Sequence, residues 1–241
     1  MLDSRNLRVS AAACPFCGPS VFVRLNATEA GVRCIRCAAS VVHLSIGYAL
    51  REVVGDICHG DVCEFSAAGP LVDFLRRSAR SFSGSEYQPE LPAGASRNGV
   101  RNEDVQHLTY SDECFDLITH TEVMEHVPDD AAAFAELFRV LRPGGMMLFT
   151  VPLSSHHDTI ERARLADGQI EHLLDPVYHL DPFRGGSGVL AYRDYGTDIV
   201  GRLQHAGFER IEIVVPRCRV RWAGIRPVIV AQRAGHDSTH A

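Results

Sequence analysis

Residues 104–153 read DVQHLTYSDECFDLITHTEVMEHVPDDAAAFAELFRVLRPGGMMLFTVPL. The apolar run FDLIT over 115–119 has the length and composition of a buried strand. A helix is expected over 131–141, entered through Pro128 and the acids Asp129 and Asp130, which suit a helix N-terminus. Arg142-Pro143-Gly144-Gly145 reads as a sharp turn, and residues 146–151 as a further strand. Strand, helix, turn and strand in this order form the unit of a parallel sheet.

The same alternation extends outward. A helical stretch is expected at 46–54, a strand at 61–66, and a helix at 69–80 with Leu71, Val72, Phe74 and Leu75 on its apolar face. Strands are expected at 82–87 and 99–102, a helix at 195–206 closed by Gly207, and strands at 209–215 and 226–231. This pattern predicts a mainly parallel sheet covered on both faces, with ligands bound beyond the carboxyl ends of its strands. Residues 152–193 interrupt the alternation. Their length, and apolar residues such as Leu173, Leu174, Tyr178 and Phe183, predict an ordered lid.

Cys14, Cys17, Cys34 and Cys37 form two Cys-x2-Cys knuckles, whose spacing can set four thiolates at the corners of a tetrahedron around Zn²⁺. Strands at 21–25 and 31–33, with a turn at 26–29, complete the expected zinc ribbon. So short a segment buries too little apolar surface to fold unaided, and metal binding would stabilise it. Two disulfides or an iron–sulfur cluster are the alternatives, the former disfavoured in a reducing compartment. A closed four-cysteine site points to a structural role. The remaining cysteines, Cys58, Cys63, Cys114 and Cys218, lack partner spacing and read as small buried residues. The expected organisation is a ribbon over 1–44, an α/β domain over 45–236, and a polar tail over 237–241.

A chain of 241 residues, 46% hydrophobic and 22% charged, has room for one sizeable core plus an appendage. Its net charge of −6 argues against a nucleic-acid grip made mainly through phosphates. Arg217, Arg219, Arg221 and Arg226 read instead as the solvent face of a strand. Neither a secretory leader nor a long apolar run is evident, so a cytoplasmic protein without membrane contact is expected.

Residues 104–153 also resemble the central half of the class I S-adenosylmethionine (SAM) methyltransferases, through the Asp after the third strand, FDLI, the EHV helix start and LRPGG. The resemblance implies a Rossmann-like sheet with helices on both faces. It implies that Glu86 takes the ribose hydroxyls, with Tyr87 beside it, that Asp104 and the Val105 backbone recognise adenine, and that residues 119–121, ending in Thr121, line the methionine side. The first glycine turn departs from the family: it reads Glu64-Phe65-Ser66-Ala67-Ala68-Gly69-Pro70, keeping Glu64 and Gly69 with small Ser66 between.

His126 and His179 are the expected catalytic bases, with His156, His157 and His172 as further candidates. In the ubiquinone-biosynthesis O-methyltransferases and the small-RNA 3′-end methyltransferases, an E-x-x-E-H motif similar to Glu122, Glu125 and His126 holds a divalent metal. By that likeness His179 would complete a second metal site, while the alternative is that EHV merely begins a helix. The leading expectation is methyl transfer from SAM to a small-molecule acceptor, at a hydroxyl. An RNA methyltransferase gripping RNA through Arg24, Arg33 and Arg36 of the ribbon, and a non-catalytic scaffold with a degenerate SAM motif, stand as alternatives.

Overall fold

The computed structural model describes residues 6–27, 31–54, 60–179 and 188–235. Cys58, Phe183, the expected turn at residues 28 and 29, and the polar tail lie outside the described residues. The chain begins with an antiparallel ribbon of β1 (Arg8–Cys14), β2 (Gly18–Arg24) and β3 (Val32–Cys34), in that spatial order. Sequence reading misses β1, because its small residues alternate without a strongly apolar face. Helix α1 (Val41–Ala49) follows and continues as a π-helical turn over Leu50–Val54.

Next come β4 (Asp61–Glu64), α2 (Pro70–Ser78), β5 (Ser81–Glu86), β6 (Ser96–Arg97), β7 (Val100–Asn102), β8 (Phe115–Thr121), α3 (Asp130–Val140) and β9 (Leu141–Thr150). The insertion contributes β10 (Ile160–Glu161), β11 (Ala163–Ala166), β12 (Gln169–His172), β13 (Tyr178–His179), β14 (Val189–Leu190) and β15 (Arg193–Asp194). Helix α4 (Ile199–His205), β16 (Arg210–Val214) and β17 (Val228–Gln232) close the fold. The main sheet runs β16-β17-β9-β8-β4-β5-β7-β6. Its centre, β9-β8-β4-β5-β7, is parallel, and both margins are antiparallel.

Strand alternation divides the core in two. Val62, Leu117, Leu148, Val228 and Val230 point to one face, where α1, α2 and the ribbon cover them with Leu44, Ile46, Leu71, Leu75 and Phe22. Cys63, Ile118, Met147, Phe149 and Ile229 point to the other, under Phe134 and Leu137 of α3 and Ile199 and Leu203 of α4. Each such side chain, once buried, contributes about 1.5–3 kcal/mol. The boundary expected at residue 44 falls inside α1, and ribbon and sheet share one apolar cluster. Gly47 permits this: a Cβ there would lie 2.5 Å from Cζ of Phe16.

Several expectations are corrected. Among the described residues no helix joins β5 to β7 or β7 to β8; turns and the β6–β7 hairpin do so. The last helix starts at Ile199 and not at Tyr195, because Gly196 is pinned against the backbone of His157, where a Cβ would come within 2.3 Å of its carbonyl oxygen. The turn at residues 142–145 lies inside β9, as a bulge that shifts the register between the pairs Phe115–Leu141 and Leu117–Met146. Arg217, Arg219 and Arg226 lie between β16 and β17 and not on a strand, and Arg221 opens a short 3₁₀ turn there. Cys63 is buried, but Cys114 and Cys218 are only partly so.

The insertion is ordered by strand pairing, β10 with β15, β11 with β12 and β13 with β14, around a small apolar cluster of Ala163, Leu190 and Tyr192. Leu173, Leu174 and Tyr178 are exposed. No described helix is long and apolar enough to cross a membrane.

Candidate functional site

The loop after β4 carries the altered glycine turn. Glu64 is buried beneath it, where the Thr119 hydroxyl donates to its carboxylate, and burial pushes its pKa up to about 8. Glu64 therefore ties the end of β4 to β8. Phe65 turns toward the α3 face, its ring 6.5 Å from that of His120. Above the loop, the Ala67 N–H donates to Glu86 Oε1 at 3.2 Å, so the carboxylate at the end of β5 faces the loop. Gly69 caps α2 at φ +118°, in the left-handed region that favours glycine. A Cβ built there meets only Nε2 of His43, at 3.5 Å. Pro70 occupies the first turn of α2.

Beyond β7, Asp104 accepts from the Gln106 N–H at 2.9 Å, beside a buried Val105. Thr119 and His120 are fully buried, so of residues 119–121 only Thr121 is half-buried and placed to line a ligand. Tyr87 is 51% exposed. His120 stacks on Phe149 at 4.5 Å, and burial pushes its pKa down to about 3. Carboxylates at neighbouring strand ends, small side chains in the loop and the side-chain-free backbone of Gly69 fit a nucleoside bearing an amino-acid arm.

A second constellation follows β8. A 3₁₀ turn, Met124–His126, carries Glu125, which is 1% exposed and has no hydrogen-bond partner on either carboxylate oxygen. His126 Nε2 lies 3.7 Å and His179 Nδ1 3.6 Å from Glu125 Oε1, and the two imidazoles meet edge-on at 4.9 Å. His126 Nδ1 is 2.8 Å from the Leu190 carbonyl, to which only a ring N–H can donate, leaving Nε2 as the free acceptor. The Glu125 carboxylate beside His179 holds that imidazole above its usual pKa.

Glu122 stands apart from the trio, at φ +53°, paired with Arg226 at 2.6 Å. Burial and Glu125 raise its pKa, and Arg226 opposes them. His156, His157 and His172 are exposed and do not join the trio among the described residues. Buried Arg193 was not legible in the sequence. It donates to the carbonyls of Val127 at 2.6 Å and Pro128 at 2.7 Å, while the Tyr192 N–H donates to the Glu125 carbonyl at 2.7 Å. Strand pairing in the insertion thus fixes the turn that bears the trio.

In the ribbon, all four cysteines are free thiols gathered within 4.8 Å of one another. Cys14 Sγ lies 3.6 Å from Cys37 Sγ, and Cys17 Sγ 3.5 Å from Cys34 Sγ. A tetrahedron with Zn–S bonds of about 2.3 Å has edges of about 3.8 Å, so the spacing fits zinc. Arg36 donates to the carbonyls of Cys17 and Pro19, Arg24 to that of Asn26, and Arg33 to that of Val32. These arginines brace the ribbon. An open cleft of about 530 Å³ lies elsewhere, between the β11–β12 hairpin and the start of α3, lined by Leu165, Leu173, Asp129 and Gln106. Gln106 is its one link to Asp104 among those four.

Residues 66–149 match the family described as methyltransferase domain. A probable S-adenosylmethionine-dependent methyltransferase of Mycolicibacterium smegmatis is 33% identical over 101 residues, 39% of this chain and 39% of that protein. Phthiotriol/phenolphthiotriol dimycocerosates methyltransferase 1 of Mycobacterium ulcerans is 32% identical over 82 residues, 34% of this chain and 30% of that protein. The aligned part of the chain thus spans well under half the length of these curated relatives. The crystal structure of a SAM-dependent methyltransferase from Mesorhizobium loti shares the fold, with a TM-score of 0.51 at 17% identity over 78% of this chain and 98% of that one. Residues 66–149 thus match a methyltransferase domain within a chain that has the methyltransferase fold, and an N-terminal four-cysteine cluster compatible with a zinc ribbon precedes them.

Proposed function

We propose that the chain transfers the methyl group of SAM to a hydroxyl of a small-molecule acceptor. The observation that carries this reading is the buried, unpartnered carboxylate of Glu125 flanked by two imidazoles, just beyond the end of β8. When bound, SAM supplies a methyl already activated by its sulfonium, so the protein's task is alignment and proton removal.

Glu86 holds the ribose hydroxyls, Asp104 and the Val105 backbone the adenine, and Ser66, Gly69 and Thr121 the amino-acid arm, with Glu64 tying β4 to β8. Tyr87 edges the ribose side. His126, with Nε2 free, accepts the acceptor's proton, the Glu125 carboxylate stabilises the imidazolium that forms, and His179 faces the same carboxylate. A small acceptor is supported by the phthiotriol and phenolphthiotriol dimycocerosates named for the relative from Mycobacterium ulcerans and by the net charge of −6.

The trio has a second capacity. Carboxylate and imidazole donors suit Mg²⁺, Mn²⁺ or Zn²⁺, and Glu125, His126 and His179 would hold such an ion, which would supply a Lewis acid to the acceptor. The observation favouring it is that both Glu125 oxygens lack partners, as a ligand awaiting a cation would. Zn²⁺ in the ribbon is structural in this reading.

Calorimetry with SAM and S-adenosylhomocysteine on the zinc-loaded chain tests the proposal. Micromolar binding of either supports it. No binding of either at millimolar ligand overturns it and leaves a non-catalytic scaffold.

A further inference from the structure

The helix that leaves the ribbon brings a polar side chain to the cofactor loop. Ser40 caps α1, and His43 completes a capping box with it. The Ser40 backbone N–H lies 3.4 Å and its hydroxyl 2.8 Å from His43 Nδ1. A backbone N–H can only donate, so Nδ1 is the acceptor and the ring proton sits on Nε2. Burial, with Arg33 nearby, pushes the imidazole down to about 4, so the ring is neutral at physiological pH. No described residue hydrogen-bonds to Nε2. That N–H faces Gly69, the one position where the altered turn keeps a glycine and its left-handed backbone.

The helix is held from both sides. Tyr48 donates to the Ala13 carbonyl at 2.7 Å and Arg51 to the Pro15 carbonyl at 2.8 Å, tying α1 to the first knuckle. On the sheet side Ser45 accepts the Arg226 N–H at 2.9 Å, and Arg226 pairs with Glu122. Ser40 itself stands three residues after Cys37.

We infer that His43 belongs to the cofactor site: its Nε2–H donates to the carboxylate of the cofactor's amino-acid arm above Gly69, so that the ribbon, by fixing α1, supplies part of the binding pocket. The inference rests on the cofactor reading above. It gives the ribbon a task in the reaction centre, and it supplies a polar contact in a turn that has exchanged glycines for serine and alanines.

The test uses calorimetry on the full zinc-loaded chain with two probes, S-adenosylhomocysteine and 5′-methylthioadenosine, which lacks the amino-acid arm. His43→Asn retains an acceptor for Ser40 and loses the distal donor. It should weaken S-adenosylhomocysteine by roughly 10- to 100-fold, as expected for a hydrogen bond to a charged group. Affinity for 5′-methylthioadenosine should not change. His43→Ala should show the same split, with zinc content preserved. Equal loss for both probes would reduce His43 to a structural role and overturn the inference, as would no loss for either. A wild-type chain that binds neither probe sinks the cofactor reading itself, whereas wild-type binding matched by His43→Asn sinks this inference alone.

Discussion

Among the described residues two clusters of side chains could hold a metal ion, and they are built on opposite plans. The four cysteines sit on an antiparallel ribbon, one soft donor type, their sulfurs close to tetrahedral edges. Such a site is closed, and what it gives is fold. Glu125, His126 and His179 mix carboxylate and imidazole, three donors only, one of them buried without a partner and two half-buried. In the function proposed above, such a site gives chemistry. Their origins differ too. The cysteine cluster comes from two local knuckles, while the trio joins a turn after β8 to a strand of the insertion and depends on Arg193 for its geometry.

Emptying the closed cluster should have the largest effect. Cys14→Ser with Cys37→Ser should remove one zinc per chain, read by elemental analysis. Because the ribbon shares its core with the sheet, the loss should reach the whole domain, several kcal/mol and a fall of about 10 °C or more in Tm. An unchanged Tm would mean that ribbon and sheet are energetically separate, and the contrast between the two clusters would lose its structural half.

The open cluster should behave in the reverse way. Glu125→Gln removes a buried carboxylate that no hydrogen bond satisfies, which relieves a desolvation cost. Tm should hold or rise while product formation falls by roughly 100-fold or more. A variant that loses Tm and activity together would place Glu125 among the residues that hold the fold.

What sequence reading reaches here follows from the range of the interactions involved. The β8–α3–β9 unit is legible because FDLIT, the paired aspartates and the proline–glycine turn act within a few residues; Asp129 does cap α3, accepting the Ala132 N–H at 3.0 Å. The knuckle cysteines are legible for the same reason. β1 is not, since its small residues give no apolar period and it is a strand through pairing with β2. The order of the insertion is not, since it rests on backbone pairing and on Arg193, whose partners lie far away in sequence. His43 is missed because it sits before the family-like region, and only the fold brings α1 over Gly69. The expected grouping of His179 with Glu125 and His126 came from likeness to other methyltransferases, because spacing alone does not join them.

The smallest effect separates two buried carboxylates that burial alone would make equivalent. Glu64 is closed in and bonded to Thr119, whereas Glu125 is closed in and unbonded. Burial raises the Glu64 pKa from 4.5 to about 8. Between those values the folded chain holds a proton that the unfolded chain has released, so stability falls as pH rises, and the penalty is complete above pH 8. Glu64→Gln keeps an oxygen to accept from Thr119 and cannot ionise. Its stability should equal the wild type's near pH 4.5, exceed it by a margin that widens toward neutral pH, and gain nothing more above pH 8. Denaturant midpoints measured from pH 4.5 to 9 read this directly. A wild type and variant that stay parallel over that range would show Glu64 ionised in the folded state, facing a cation or water and not sealed under the loop.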